Sequence, residues 1–158
     1  MRVRLLLAVV CCVAFGVFAG AGPLTPLNVK TGLWLITKVT TWADLPPEMP
    51  AMMKVPRKVS YSSCVTPQNL TSNPWADGSG EHCSWTVLNS NGTDMEVQGS
   101  GCTMGNGTTA QVHGQIHVVD SENGTGSVTL ALNAGNGRVM NGVASYTGKW
   151  VGASCPAK

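Results

Sequence analysis

His113 and His117 are the residues whose type and spacing come nearest to chemistry. On a helix, two histidines four positions apart converge on one metal ion. On a strand they share a face but stand roughly 13 Å apart, too far to hold the same ion. The flanking residues decide for a strand. Ala110, Val112, Ile116 and Val118 alternate with Gln111, His113, Gln115 and His117, which describes a sheet with one buried and one wet face. The expectation is two wet-face histidines and no metal site. His82 precedes Cys83, and an adjacent imidazolium would lower the pKa of a free thiol. The chain carries no Gly-x-Ser-x-Gly elbow, phosphate loop or His-Glu-x-x-His helix. Asp44, Glu48, Asp77, Glu81, Asp94, Asp120 and Glu122 are scattered mainly among predicted loops and turns, and nothing pairs two of them as general acid and base. No catalytic residue and no cofactor is expected, and the reading is non-enzymatic.

Cys64, Cys83, Cys102 and Cys155 are better explained as structural. Arg2 and Arg4 are followed by an apolar run from Leu5 to Phe18, broken at Gly16, and then by Ala19-Gly20-Ala21. A positive start, an apolar centre and small residues make an export signal. Residues 1–21 are read as a signal peptide and residues 22–158 as one domain. The uncharged stretch to Pro23 is just long enough to span a bilayer, but its small-residue end favours cleavage over anchoring, so no stable membrane span is expected afterwards. Cys11 and Cys12 lie inside the apolar run, in a context unlike a lipid-attachment site. An even set of four cysteines beyond the leader fits disulfides in an oxidising compartment, periplasmic or secreted. Without Arg2 and Arg4, eight basic residues balance eight acidic ones. A neutral chain has no electrostatic footprint for nucleic acid. Lys54, Arg57 and Lys58, beside prolines, read as a solvated strand entry.

The elements that must position these residues are strands. Gly, Asn, Ser and Thr are abundant and helical periodicity is nearly absent. Strands are predicted over Thr31–Trp42, Val55–Val65, Cys83–Asn89, Met95–Cys102, Thr108–Val119, Thr125–Asn133 and Val139–Val151. Asn-Gly steps at Asn91-Gly92, Asn106-Gly107 and Asn136-Gly137 mark turns, since both residue types tolerate positive φ. Asn69, Asn91, Asn106 and Asn123 also head Asn-x-Thr sequons; three of them are Asn-Gly-Thr at predicted turns, where turn geometry alone explains the Asn-Gly. Thr66–Leu70 reads as one helical turn, with Thr66 as N-cap and Pro67 at the first helical position. The fold class is all-β: an antiparallel meander of about seven strands forming a curved sheet or small barrel, with one short helical turn and two disulfides.

Register selects among the three possible cysteine pairings. A three-residue loop at Asn91-Gly92-Thr93 pairs Val87 with Val97 and sets Cys83 opposite Gly101. One extra residue within Gly99-Ser100-Gly101 would bring Cys102 opposite instead, and glycine-flanked bulges are common. Cys83–Cys102 within a bulged hairpin is expected, leaving Cys64–Cys155 to join the second strand to the last.

Gly32-Leu33-Trp34, Cys64-Val65-Thr66-Pro67, Cys83, Cys102, Gly114 and Cys155 follow in an order that resembles the bacterial domain-of-unknown-function family numbered 3617. The resemblance covers most of the chain beyond the leader. It implies a small exported protein, presumed periplasmic, with this cysteine framework, and it carries over no activity. Leu35 departs from the pattern, which has an acidic residue after the tryptophan.

Five tryptophans outnumber the other aromatics. They read as core or as the lining of a barrel mouth, and Trp42 and Trp75 are the candidates for the mouth. The Ala43–Pro56 loop, with four prolines and three methionines, reads as a covering flap or a mobile lid. As a lid it would offer Met49, Met52 and Met53 as adaptable contacts. The expected function is a non-catalytic periplasmic binding or envelope-associated protein for a small apolar ligand. The alternative is a protein-interaction module, such as a periplasmic inhibitor or chaperone-like factor, with a filled interior and an exposed apolar patch near the termini or the long loop.

Overall fold

The computed structural model describes residues 24–43, 45, 47–48, 51, 54–76, 82–103, 108–133 and 138–156. The predicted leader and Met49, Met52 and Met53 lie outside them. Seven strands form: β1 (Gly32–Ala43), β2 (Arg57–Val65), β3 (His82–Ser90), β4 (Asp94–Thr103), β5 (Thr109–Asp120), β6 (Asn123–Asn133) and β7 (Val139–Gly152). They make one open, curved antiparallel sheet in the order β2-β1-β7-β6-β5-β4-β3. Of the two expected forms, the open sheet is the one adopted. Residues 66–76, which follow edge strand β2, form a strap that lays Trp75 against the inner face.

Alternation built this face as expected. Along β5, Ala110, Val112, Gly114, Ile116 and Val118 are buried while every residue between them is exposed. Met95 and Val97 from β4, Val128, Leu130 and Leu132 from β6, and Met140, Ala144 and Tyr146 from β7 join the same core, with Trp34 and Ile36 of β1 fully buried. Trp75 lies across it. Its ring rests on β6 and β7 where these strands lack side chains, at Gly124, Gly126 and Gly148, and it meets Trp34 at a centroid distance of 6.3 Å. Two side chains of edge strand β2 hold this strap: Tyr61 Oη donates to the Trp75 carbonyl at 2.9 Å and Ser63 Oγ to that of Pro74 at 3.0 Å.

A 3-10 turn occupies Asn69–Thr71, one residue or more later than predicted. Thr66 is not its cap. Asn69 Oδ1 instead accepts from the Thr66 amide and hydroxyl, and Asn69 Nδ2 donates to the Cys64 carbonyl at 3.3 Å. The longer amide side chain satisfies three groups at once, which a threonine hydroxyl cannot. The β3–β4 hairpin also differs in detail. Asn91 Oδ1 accepts from the amides of Thr93 and Asp94 at 2.9 and 2.7 Å, and this Asx turn extends the loop so that Ser90 pairs with Met95. A bulge at Leu88 removes the offset, and Val87 faces Val97 as expected.

The second bulge lies where the cysteines require it. Register shifts between Gly99 and Cys102, with Gly101 at φ +61°, and Cys83 is bonded to Cys102. Cys64 is bonded to Cys155. Leu33 of β1 lies between, opposite both Cys64 and Gly152, so the C-terminal tail passes over the start of β1 to reach β2. Gly32 makes that crossing possible. It sits at φ +123°, and a Cβ there would collide with the Gly152 carbonyl oxygen and the Ala153 backbone. The same end of the sheet is covered by residues 24–31. Leu27 is buried and bonded to Leu70, Asn28 to Gly92 and Lys30 to Ser121 through backbone amides.

Candidate functional site

The inner face has two halves. The half beneath the strap is filled: the remaining void beside Trp75 is about 20 Å³, lined in part by Tyr61, Trp85, Ile116 and Tyr146. Trp75 itself is 5% exposed, so it is a core residue rather than the rim of a mouth. The reason is local: the glycines of β6 and β7 leave a ring-sized slot that alternation of apolar residues alone does not reveal.

The other half is where β1 runs into the Ala43–Pro56 loop. Trp42 faces Gly142 of β7 and its ring occupies the position a side chain would take there, 2.6 Å from an ideal Cβ. Met140, Leu130 and Leu132 surround that position by register. Trp42 is half-buried and Leu45, just into the loop, packs on the same core. The loop is tied down further by Glu48 Oε1, which pairs with Arg138 Nη1 at 3.0 Å, and by Lys54 Nζ donating to the Pro47 carbonyl at 3.0 Å. A backbone hydrogen bond and the Arg138 guanidinium hold the Glu48 carboxyl below its ordinary pKa. Both partners of this ion pair are about two-thirds exposed, and exposed pairs restrain a loop only weakly. Sequence reasoning placed Trp42 here but missed Leu45, Arg138 and Gly142, whose roles depend on which strands become neighbours.

The outer face is polar. The histidines stand apart, each against its own acid: His117 Nδ1 lies 2.7 Å from Asp94 Oδ1, and His113 Nε2 lies 2.9 Å from Glu96 Oε1. Asp94 and His117 are direct cross-strand partners, whereas Glu96 reaches His113 on the diagonal. Hydrogen bonds from His117 and then Asn91 hold the Asp94 carboxyl below its usual range. No group of three or more metal-ligating side chains forms among the described residues. His82 is exposed, and its neighbour Cys83 is committed to a disulfide. Lys58 and Arg57 enter β2 as exposed residues.

No helix of the described residues is long and apolar enough to cross a membrane. Neither a curated protein nor a solved structure matches the chain. A family model described as "Protein of unknown function (DUF3617)" matches residues 29–155, from just before β1 to the final cysteine, so the chain belongs to that family.

Proposed function

We propose that this is an exported, non-catalytic binding protein that holds a small apolar ligand between the Trp42 end of the inner face and the 44–56 segment. The leader-like residues 1–21 and the two disulfides support a periplasmic or secreted location. The observation that carries the binding reading is the asymmetry of the inner face. One half is plugged by a buried tryptophan, while the other ends in the half-buried Trp42 under a segment tied by Leu45 and one exposed ion pair. Titration with the fluorescent apolar probe N-phenyl-1-naphthylamine tests this. Saturable binding that weakens at least tenfold in Trp42→Ala is expected. No saturable binding, or binding indifferent to Trp42→Ala, refutes the reading.

A specific observation favours the interaction-module alternative. Leu35 and Val151 are 45% and 50% exposed near the Cys155 tail, an apolar patch close to a terminus above a filled interior. A crosslinking experiment with p-benzoylphenylalanine at position 35 in the native host distinguishes the two: a single specific adduct supports a partner, and its absence removes this reading.

A further inference from the structure

The outer face carries a second site that does not rest on the reading above. A groove of about 520 Å³ runs across β4, β5, β6, β7 and β1. Two adjacent cross-strand rows form it. One runs Gln98, His113, Thr129, Val143, Thr41, and the next runs Gln111, Ala131, Asn141, Ala43. All nine point away from the core, because their neighbours in each strand face inward. None of the thirteen residues lining the groove carries a fixed charge.

We propose that this groove binds a neutral, linear, β-linked oligosaccharide lying across the strands. The lining chooses among ligand classes. Neither an anion nor a cation would find a fixed opposite charge among the lining residues, and His113 already faces Glu96. A wholly apolar ligand would desolvate the amides of Gln98, Gln111 and Asn141 without replacing their hydrogen bonds. A polyol satisfies them, because each amide both donates and accepts and a sugar hydroxyl does the same. Thr129 and Thr41 hydroxyls donate to the His113 and Val143 carbonyls, each at 3.3 Å, which leaves their oxygens as acceptors. Val143, Ala131 and Ala43 form a low apolar floor for the C–H faces of the rings. Spacing agrees as well: strands repeat every ~4.8 Å, close to the advance of a β-1,4-linked chain per sugar. Trp42 lines the groove but turns its ring to the inner face, where it fills the Gly142 position, so no indole stacks on a sugar and the affinity is weak, near Kd ~1 mM.

The test is an amide ¹H–¹⁵N NMR titration of the oxidised protein with cellotetraose and chitotetraose, using tetragalacturonate as the anionic control. Saturable shifts are expected at residues 98, 111, 113, 129–131 and 141–143 with either neutral probe, and a weaker response to the control. Gln111→Ala with Asn141→Ala should weaken binding at least tenfold, at roughly fivefold per lost hydrogen bond. Both side chains are exposed, and an unchanged urea midpoint confirms the fold. Absence of saturable shifts with both neutral probes, an equal response to tetragalacturonate, or binding unaffected by the double variant overturns the proposal. Shifts confined to inner-face residues outside the groove lining, such as Leu45, Leu132 and Met140, would overturn it too, and would instead report on the inner-face site.

Discussion

Gly148→Ala asks whether the Trp75 ring is the keystone of the inner face. A Cβ at Gly148 would stand 2.9 Å from Trp75 Cζ2, 3.0 Å from Cε2 and 3.1 Å from Ile36 Cδ1. Relaxed carbon contacts lie near ~3.5–4.0 Å, so the ring must retreat by half an ångström or more. It has little room, because Tyr61 and Ser63 hold its backbone and Gly124 and Gly126 hold its far edge. Overpacking of this kind costs about 1–3 kcal/mol. The stiffer unfolded chain returns about 0.4–1 kcal/mol, so the net loss should be roughly 1–2 kcal/mol. Trp75→Leu should itself cost about 2–4 kcal/mol by leaving a cavity. In that background only Ile36 Cδ1, the movable end of its side chain, stays close, and Gly148→Ala should be neutral or stabilising by about 0.4–1 kcal/mol. The coupling energy is then roughly 1–3 kcal/mol. Urea unfolding of the four oxidised proteins, followed by far-UV circular dichroism, measures it without relying on tryptophan emission. Gly152→Ala is the control, since nothing lies within 4 Å of a Cβ there. Additive effects within about 0.5 kcal/mol would refute the argument that Trp75 meets the sheet through its glycines.

Three further outcomes follow from the same structure. Replacing Cys64 and Cys155 by Ala should cost about 4–5 kcal/mol by the chain-entropy argument, and replacing Cys83 and Cys102 about 3 kcal/mol, because the closed loops span 91 and 19 residues. Urea midpoints in the reverse order would show that packing at the fully buried Cys102 outweighs loop length. Gly32→Ala should push the C-terminal tail off β1 and leave Cys64 and Cys155 as free thiols countable by alkylation and mass spectrometry; full oxidation with unchanged stability would contradict the crossing described above. The Asp94 carboxyl, held below the ordinary 3.8, should contribute stability at pH values above 3.8 that disappears as pH falls through its lower folded value. Asp94→Asn should therefore flatten part of the acid limb of stability against pH, and an ordinary Asp94 pKa in a carboxyl ¹³C titration would dispose of this.

Much of the architecture was legible because β-alternation is a short-range code. The buried and exposed positions of β5 can be read two residues at a time, and the same pattern in β6 and β7 needs no knowledge of neighbours. The Cys83–Cys102 bridge was accessible for a related reason: hairpin register follows from one turn, and a glycine-flanked stretch marked the extra residue. Even so, the turn was longer than expected, and only the Leu88 bulge restored Val87 to Val97. Thr66 reads as a cap in sequence, but its competitor Asn69 takes both its amide and its hydroxyl by reaching back along the chain. The slot that buries Trp75 comes from three glycines on two strands, and a glycine announces no packing partner in sequence.

By itself, then, the amino-acid order determined the strands, their wet and dry faces and the Cys83–Cys102 bridge, all consequences of local alternation and hairpin geometry, with Cys64–Cys155 following as the remaining pair. Tertiary structure decided the rest. It placed β1 between β2 and β7, left the sheet open, and drove Trp75 into the inner face. It separated His113 from His117 by giving each a different acid, and it drew uncharged side chains from five strands into one groove. Those outcomes depend on contacts between residues as far apart as Trp42 and Gly142, where packing and backbone clearance select the neighbour and no local signal in the chain records the choice.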